Sequence, residues 1–228
     1  MIVEFMGLPG AGKSSLGRAL EQELARRGLH CLSVVERSRT TLGGKLLSKL
    51  AHVCVQTSPQ YRREKQKLLR LAKDALDRPP RYNKDGVRLS DYLEQAAFLR
   101  VLYARLEKSR TLYLFDEGIA QQFVTMTVNY ELDENTLRSL LQALGELPNI
   151  VYITCEREAA KAAIRKRDRH TCYIDELRGE ELDGFLTAYQ RACEQLAALL
   201  SPTRLDREAD LENKLAAVLQ ETRGEERK

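Results

Sequence analysis

Near the N-terminus, Gly7-Leu8-Pro9-Gly10-Ala11-Gly12-Lys13-Ser14 sets a glycine, four residues and then Gly-Lys-Ser. That spacing is the phosphate-cradling pattern, provided a strand precedes it and a helix follows. A nucleoside triphosphate needs several donors converging on its oxygens. Backbone N–H groups at a helix N-terminus supply them, together with the positive end of the helix dipole. Gly7, Gly10 and Gly12 let the chain come close to the phosphates, with Pro9, Ala11 and Ser15 completing the backbone around them. Lys13 is the point charge for the β- and γ-phosphates, and the Ser14 hydroxyl is a ligand for Mg²⁺. The chain is expected to bind a nucleoside triphosphate with Mg²⁺.

A second acidic position answers the first motif. Thr111 to Phe115 is an apolar run that ends in Asp116-Glu117-Gly118. A strand ending in an acid, downstream of a phosphate loop, places a carboxylate where it can serve Mg²⁺ or act as a base. Asp116 is therefore the second expected metal residue beside Ser14.

Strands and helices must hold these groups in place. Ile2 to Met6 reads as a buried strand, and Leu16, Ala19, Leu20 and Leu24 recur at helical spacing after it. Gly28 is a candidate helix stop. His30 to Val35 reads as a second strand with Glu36 at its tip, so the chain opens as a βαβ unit of a parallel sheet. From 37 to about 110 the pattern is helical: Leu42 to Val55, Gln60 to Leu76, then Leu89 to Lys108, with Pro79-Pro80 and Asn83 to Gly86 as loop. The basic residues of the second of these, Arg62 to Lys73, read as a solvated face.

Further helices are expected from Ile119 to Val128 and from Glu134 to Leu144. Ile150 to Thr154 reads as a strand and Arg157 to Arg169 as a helix holding Arg165, Lys166, Arg167 and Arg169 at its end. After a polar stretch come a long helix from Glu180 to Leu199, a last strand from Thr203 to Asp206 and a last helix from Leu211 to Leu219. Glu221 to Lys228 reads as a frayed charged tail.

Composition bounds the rest. The 228 residues can bury a sizeable core and are read as one domain, 1–228. With 37 basic and 33 acidic residues the charge is too balanced to point to nucleic acid. No apolar run is long enough to span a membrane. Met1 leads directly into the first strand, so no signal peptide is expected. Five cysteines without Cys-x-x-Cys spacing suit reduced thiols, and a cytoplasmic location is expected. The three histidines are scattered and suggest no metal cluster.

Taken in order, these motifs resemble the P-loop nucleoside and nucleotide kinases, most closely the thymidylate kinase-like group. The likeness runs to about residue 220. It implies a three-layer α/β fold: a five-stranded parallel sheet with helices on both faces and a lid, here about 165–178. It also implies a helical acceptor-side region at about 37–110, and γ-phosphoryl transfer from ATP to a small-molecule phosphoryl acceptor. Arg165, Arg167 and Arg169 would match lid arginines, with Arg165 near the adenine and Arg169 reaching the transferred group. Glu36 sits where such kinases place an acid facing the acceptor, and Arg37 would pair with it or with acceptor phosphate. Glu117, Gln121 and Gln122 fall where the family reads the acceptor. Helices between 42 and 108 often form dimer faces in this family, so a homodimer is one option.

The sequence also departs from the thymidylate kinase pattern. Asp116-Glu117 stands where those enzymes have Asp-Arg, and Glu36-Arg37-Ser38 where they have Arg-Glu-Pro. Without those arginines, a nucleoside or another hydroxylated metabolite fits as well as a nucleotide. A GTPase is disfavoured: Asn83-Lys84-Asp85-Gly86 lacks the final Asp of the guanine-reading pattern and follows no strand. Two other classes stay open. One is an ATPase using Glu117 to polarise water; the other is a regulatory protein that holds nucleotide without turnover.

Overall fold

The computed structural model describes residues 1–34, 53–82, 86–167 and 173–224, with side chains to residue 219. Five strands form one parallel sheet: β1 Ile2–Gly7, β2 Cys31–Ser33, β3 Leu112–Phe115, β4 Asn149–Thr154 and β5 Thr203–Asp206, in the order β2-β3-β1-β4-β5. β1 lies at the centre and is buried along its whole length, as a strand covered on both faces must be. Its C-terminal end carries the phosphate loop, beside the end of β3 that carries Asp116.

The helices are α1 Lys13–Arg26, α2 Pro59–Leu71, α3 Leu89–Leu106, α4 Ile119–Tyr130, α5 Glu134–Leu144, α6 Arg157–Lys166, α7 Tyr173–Glu176, α8 Gly179–Leu200 and α9 Leu211–Gly224. Their placement follows from the handedness of parallel crossovers. The step from β1 to β2 runs one way along the sheet, while those from β2 to β3, β3 to β4 and β4 to β5 run the other way. Right-handed connections then put α1 on one face and α3, α4 and α8 on the opposite one. The packing agrees: α4 lies between α3 and α8, and α9 returns to pack on α1. The sheet therefore has helices on both faces.

Local chemistry sets the element ends. Ser58 caps α2 by accepting the Tyr61 N–H at 3.2 Å, with Pro59 in the first turn, where its missing N–H costs nothing. Asp133 caps α5 through the Thr136 N–H at 2.9 Å. Leu137, Leu140, Leu141 and Leu144 of α5 fall on one face and are buried, each contributing about 1.5–3 kcal/mol. Arg100 and Lys67 donate to the carbonyls of Leu144 and Ala143 at its end.

Several expected boundaries shift. β2 is three residues long: its pairing with β3 ends at Ser33, and Val34 is already helical. The expected helix to Leu76 stops at Leu71 and continues as a 3-10 turn over Lys73–Ala75. α6 ends at Lys166, short of the expected Arg169, and part of the polar stretch after it folds as α7. The last helix runs on to Gly224, past the expected end at Leu219, and the remainder of the expected tail, 225–228, lies outside the described residues. Along α2, Arg62 and Arg63 are exposed as a solvated face requires, whereas Lys65 pairs with Glu94 at 2.5 Å. The expected helix from Leu42 to Val55 lies outside the described residues except for its end at 53–55, which is helical, as does most of the Asn83 to Gly86 loop. No helix among the described residues is long and apolar enough to cross a membrane.

Candidate active site

The phosphate loop joins Gly7 to Lys13. Ala11 N donates to Leu8 O at 3.0 Å and closes the turn, and Leu16 N donates to Gly12 O at 2.9 Å and opens α1. No side chain caps α1, so its first amides are left for a ligand. Gly10 must be glycine: its φ is 89°, and a Cβ there would stand 2.5 Å from Ala160 O of α6. The same close approach seats α6 against the loop.

Ser14 and Asp116 meet across 102 residues. Ser14 Oγ donates to Asp116 Oδ2 at 2.5 Å. Asp116 is 6% exposed, and among the described residues nothing donates to its Oδ1. A buried carboxylate oxygen without a donor, beside a hydroxyl oxygen, is a donor set suited to a hard cation. These residues fit Mg²⁺.

Lys13 folds back on its own loop. Its Nζ donates to Gly7 O at 2.8 Å and Leu8 O at 3.0 Å. Loss of water pushes the ammonium pKa down to about 8, and Arg167 adds in the same direction. Cys193, Glu117 and Asp116 oppose that shift. A polyanionic phosphate arriving beside Lys13 would favour its charged form.

Some of the other sequence candidates gather here and some do not. Glu117 is exposed next to Asp116. Arg165 is exposed on α6, while Arg167 is the arginine close enough to act on Lys13. Gln121 is buried: its Oε1 accepts the Gly7 N–H at 3.1 Å and its Nε2 donates to Tyr189 Oη at 2.5 Å. Pro9, Ala11 and Ser15 lie in or beside the loop, with Ser15 exposed. Glu36, Arg37 and Arg169 lie outside the described residues.

Sequence reasoning missed the flank of the site. A cavity of about 290 Å³ opens beside the loop, lined by Ser15, Leu16 and Ala19 of α1 and by Arg207, Leu211 and Lys214. Arg207 follows β5 directly and donates to Gly10 O at 3.3 Å and to Cys155 Sγ at 3.4 Å. Lys214 Nζ in turn donates to Arg207 O at 2.5 Å. Two cations thus border a hollow beside the phosphate loop. The position of Arg207, just after the expected last strand, is the one sequence signal that could have pointed to it.

No family model matches the sequence, and no curated protein matches it either. Among solved structures it is similar to deoxyadenosine kinase from M. mycoides with the products dCMP and a flexible dCDP bound. That match has 16% identity and a TM-score of 0.47 over 98% of this chain and 100% of that one. The same enzyme with bound dATP or dCTP matches at 16% and 15% identity, each with a TM-score of 0.45 and the same coverage. A superposition this loose carries no weight for the chemistry, which rests on the residues themselves.

Proposed function

We propose that the chain is a Mg²⁺-dependent ATP phosphotransferase. It would move the γ-phosphoryl group to a nucleoside, a nucleotide or another small hydroxylated metabolite. The observation that supports this best is the 2.5 Å contact between Ser14 and Asp116, beside the uncapped first turn of α1 and a lysine. Phosphoryl transfer passes through a loose, anionic transition state, so the protein contributes placed charge more than covalent chemistry.

Each residue then has a role. The amides of Gly12 to Ser15 and the Lys13 ammonium hold the triphosphate. Lys13 leaves the Gly7 and Leu8 carbonyls to do so. Ser14 and Asp116 would hold Mg²⁺, which neutralises charge building on the phosphates. The hollow bordered by Arg207 and Lys214 takes the base and ribose of ATP. Arg167 is near enough to lower the Lys13 pKa, and with Arg165 and Arg169 it would make up the proposed lid cluster. Glu36 is proposed as the acceptor-side acid with Arg37 as its partner, and the 42–108 helices as a dimer face.

A second reading is ATP hydrolysis. Glu117 favours it, because it is exposed beside Asp116 and close enough to Lys13 to influence its charge. ADP release from Mg·ATP, with and without a panel of nucleosides, nucleoside monophosphates and hydroxylated metabolites, separates the two. Release that rises with one acceptor class, and is lost in Lys13→Ala and Asp116→Asn, supports the kinase. Steady release indifferent to every acceptor contradicts it and favours hydrolysis.

A further inference from the structure

The strand leading into the phosphate loop carries a carboxylate inside an apolar run. Glu4 lies in β1 between Val3 and Phe5 and is fully buried. Burial pushes its pKa up, and the Tyr103 hydroxyl and the amides of Ala120 and Ile119 pull it only part of the way back. The buried Tyr103 hydroxyl lies close enough to favour the charged form without reaching hydrogen-bond geometry. A buried carboxylate is costly unless it is well partnered, so its partners indicate what it does.

Those partners are the start of α4. Glu4 Oε1 accepts the Ile119 N–H at 2.9 Å and Oε2 accepts the Ala120 N–H at 2.8 Å. A helix N-terminus leaves such amides without intrahelical partners, and Gly118, the residue before α4, supplies no side-chain cap. The cap comes instead from the central strand.

Glu4 thereby holds both ends of the acidic loop. Its backbone pairs in register with Phe115, the last residue of β3, and its side chain grips Ile119, the first residue of α4. Asp116, Glu117 and Gly118 make up the whole span between those anchors. The carboxylate runs so close to Gly118 that a Cβ there would stand 2.2 Å from Glu4 Cδ. Any other residue at 118 would push the carboxylate off its amides. One helical turn on, Gln121 takes the Gly7 N–H, so α4 is also bonded to the strand end that opens the phosphate loop.

We propose that Glu4 is a positioning residue for the metal site: by fixing both ends of the Asp116–Gly118 span, it sets the Asp116 carboxylate against the Ser14 hydroxyl. This rests on the Mg²⁺–nucleotide reading of that pair. A residue that only supports the fold changes stability. A positioning residue changes how much Mg²⁺ adds to nucleotide binding.

Glu4→Gln keeps the size and replaces one acceptor oxygen by an NH₂ group that cannot accept an amide N–H. Gly118→Ala displaces the carboxylate without replacing it, and it carries the same comparison should Glu4→Gln fail to fold. ATP binding is measured by calorimetry in Mg²⁺ and in EDTA, together with thermal unfolding and hydrogen exchange at the Ile119 and Ala120 amides. In folded variants those amides exchange faster, and ATP affinity in EDTA stays within about twofold. The gain in affinity from Mg²⁺ falls by about tenfold or more, as for lost outer-shell partners of metal ligands. Full retention of the Mg²⁺ gain with exposed amides overturns the positioning role. If the unaltered chain gains nothing from Mg²⁺, the reading of the Ser14–Asp116 pair fails first and the role of Glu4 falls with it.

Discussion

The Gln121 side-chain carbonyl accepts the Gly7 N–H at 3.1 Å, joining α4 to the residue where β1 becomes the phosphate loop. The other end of the same amide donates to Tyr189 of α8, whose hydroxyl also contacts Thr125 Oγ1 at 2.8 Å. Gly7 is held on both sides, its N–H by Gln121 and its C=O by Lys13. The loop is therefore braced on both sides, which suits the charge placement proposed for this site.

Gln121→Ala leaves a buried N–H and a buried hydroxyl short of partners. Such groups cost about 1–3 kcal/mol. Chemical denaturation should show a loss of that size, together with weaker ATP binding. A variant as stable as the parent would show that the brace is idle.

The Lys13 ammonium gives a pH signature. In the free protein its pKa is pushed down to about 8, whereas bound phosphates favour the charged form. Below pH 8 the lysine is charged in both states and affinity is flat in this respect. Above it, binding requires proton uptake, and Kd for ATP weakens by up to about tenfold per pH unit. Lys13→Arg, which does not titrate there, should abolish that slope. Arg167→Ala should move the bend upward, because Arg167 helps to depress Lys13.

Arg207 tests the proposed placing of the base in the hollow beside the loop. It borders the hollow beside the loop and braces Gly10 O at 3.3 Å. Arg207→Ala is expected to weaken ATP binding by about tenfold, the scale of one charge-assisted hydrogen bond. It should weaken inorganic tripolyphosphate binding much less. Equal losses for both ligands would move Arg207 into the phosphate site.

What the sequence made legible was what is local. Gly7 to Ser14 announces itself because the loop, the strand before it and the helix after it are contiguous, and the run ending at Asp116 is a short strand-and-acid pattern. The amphipathic spacing of Leu137 to Leu144 gave α5 its correct bounds. Glu4 was hidden because a single acid inside an apolar run does not disturb a strand reading, and its partners lie 115 and 116 residues away. Gln121 was read as facing an acceptor, but the N–H it takes is 114 residues off, at Gly7. β2 was drawn too long because apolar residues continue past Ser33, whereas its pairing with β3 stops there. Register and long-range capping are set by the assembled sheet, and periodicity carries no trace of them.

A phosphotransferase site of this kind requires Ser14 and Asp116 to act together on one Mg²⁺. A double-mutant cycle with Ser14→Ala and Asp116→Asn, read as the gain in ATP affinity when Mg²⁺ replaces EDTA, tests this directly. If both hold the same ion, either variant alone should remove most of that gain and the double variant little more. Losses that simply add, or a gain that survives in both single variants, would contradict a shared metal site.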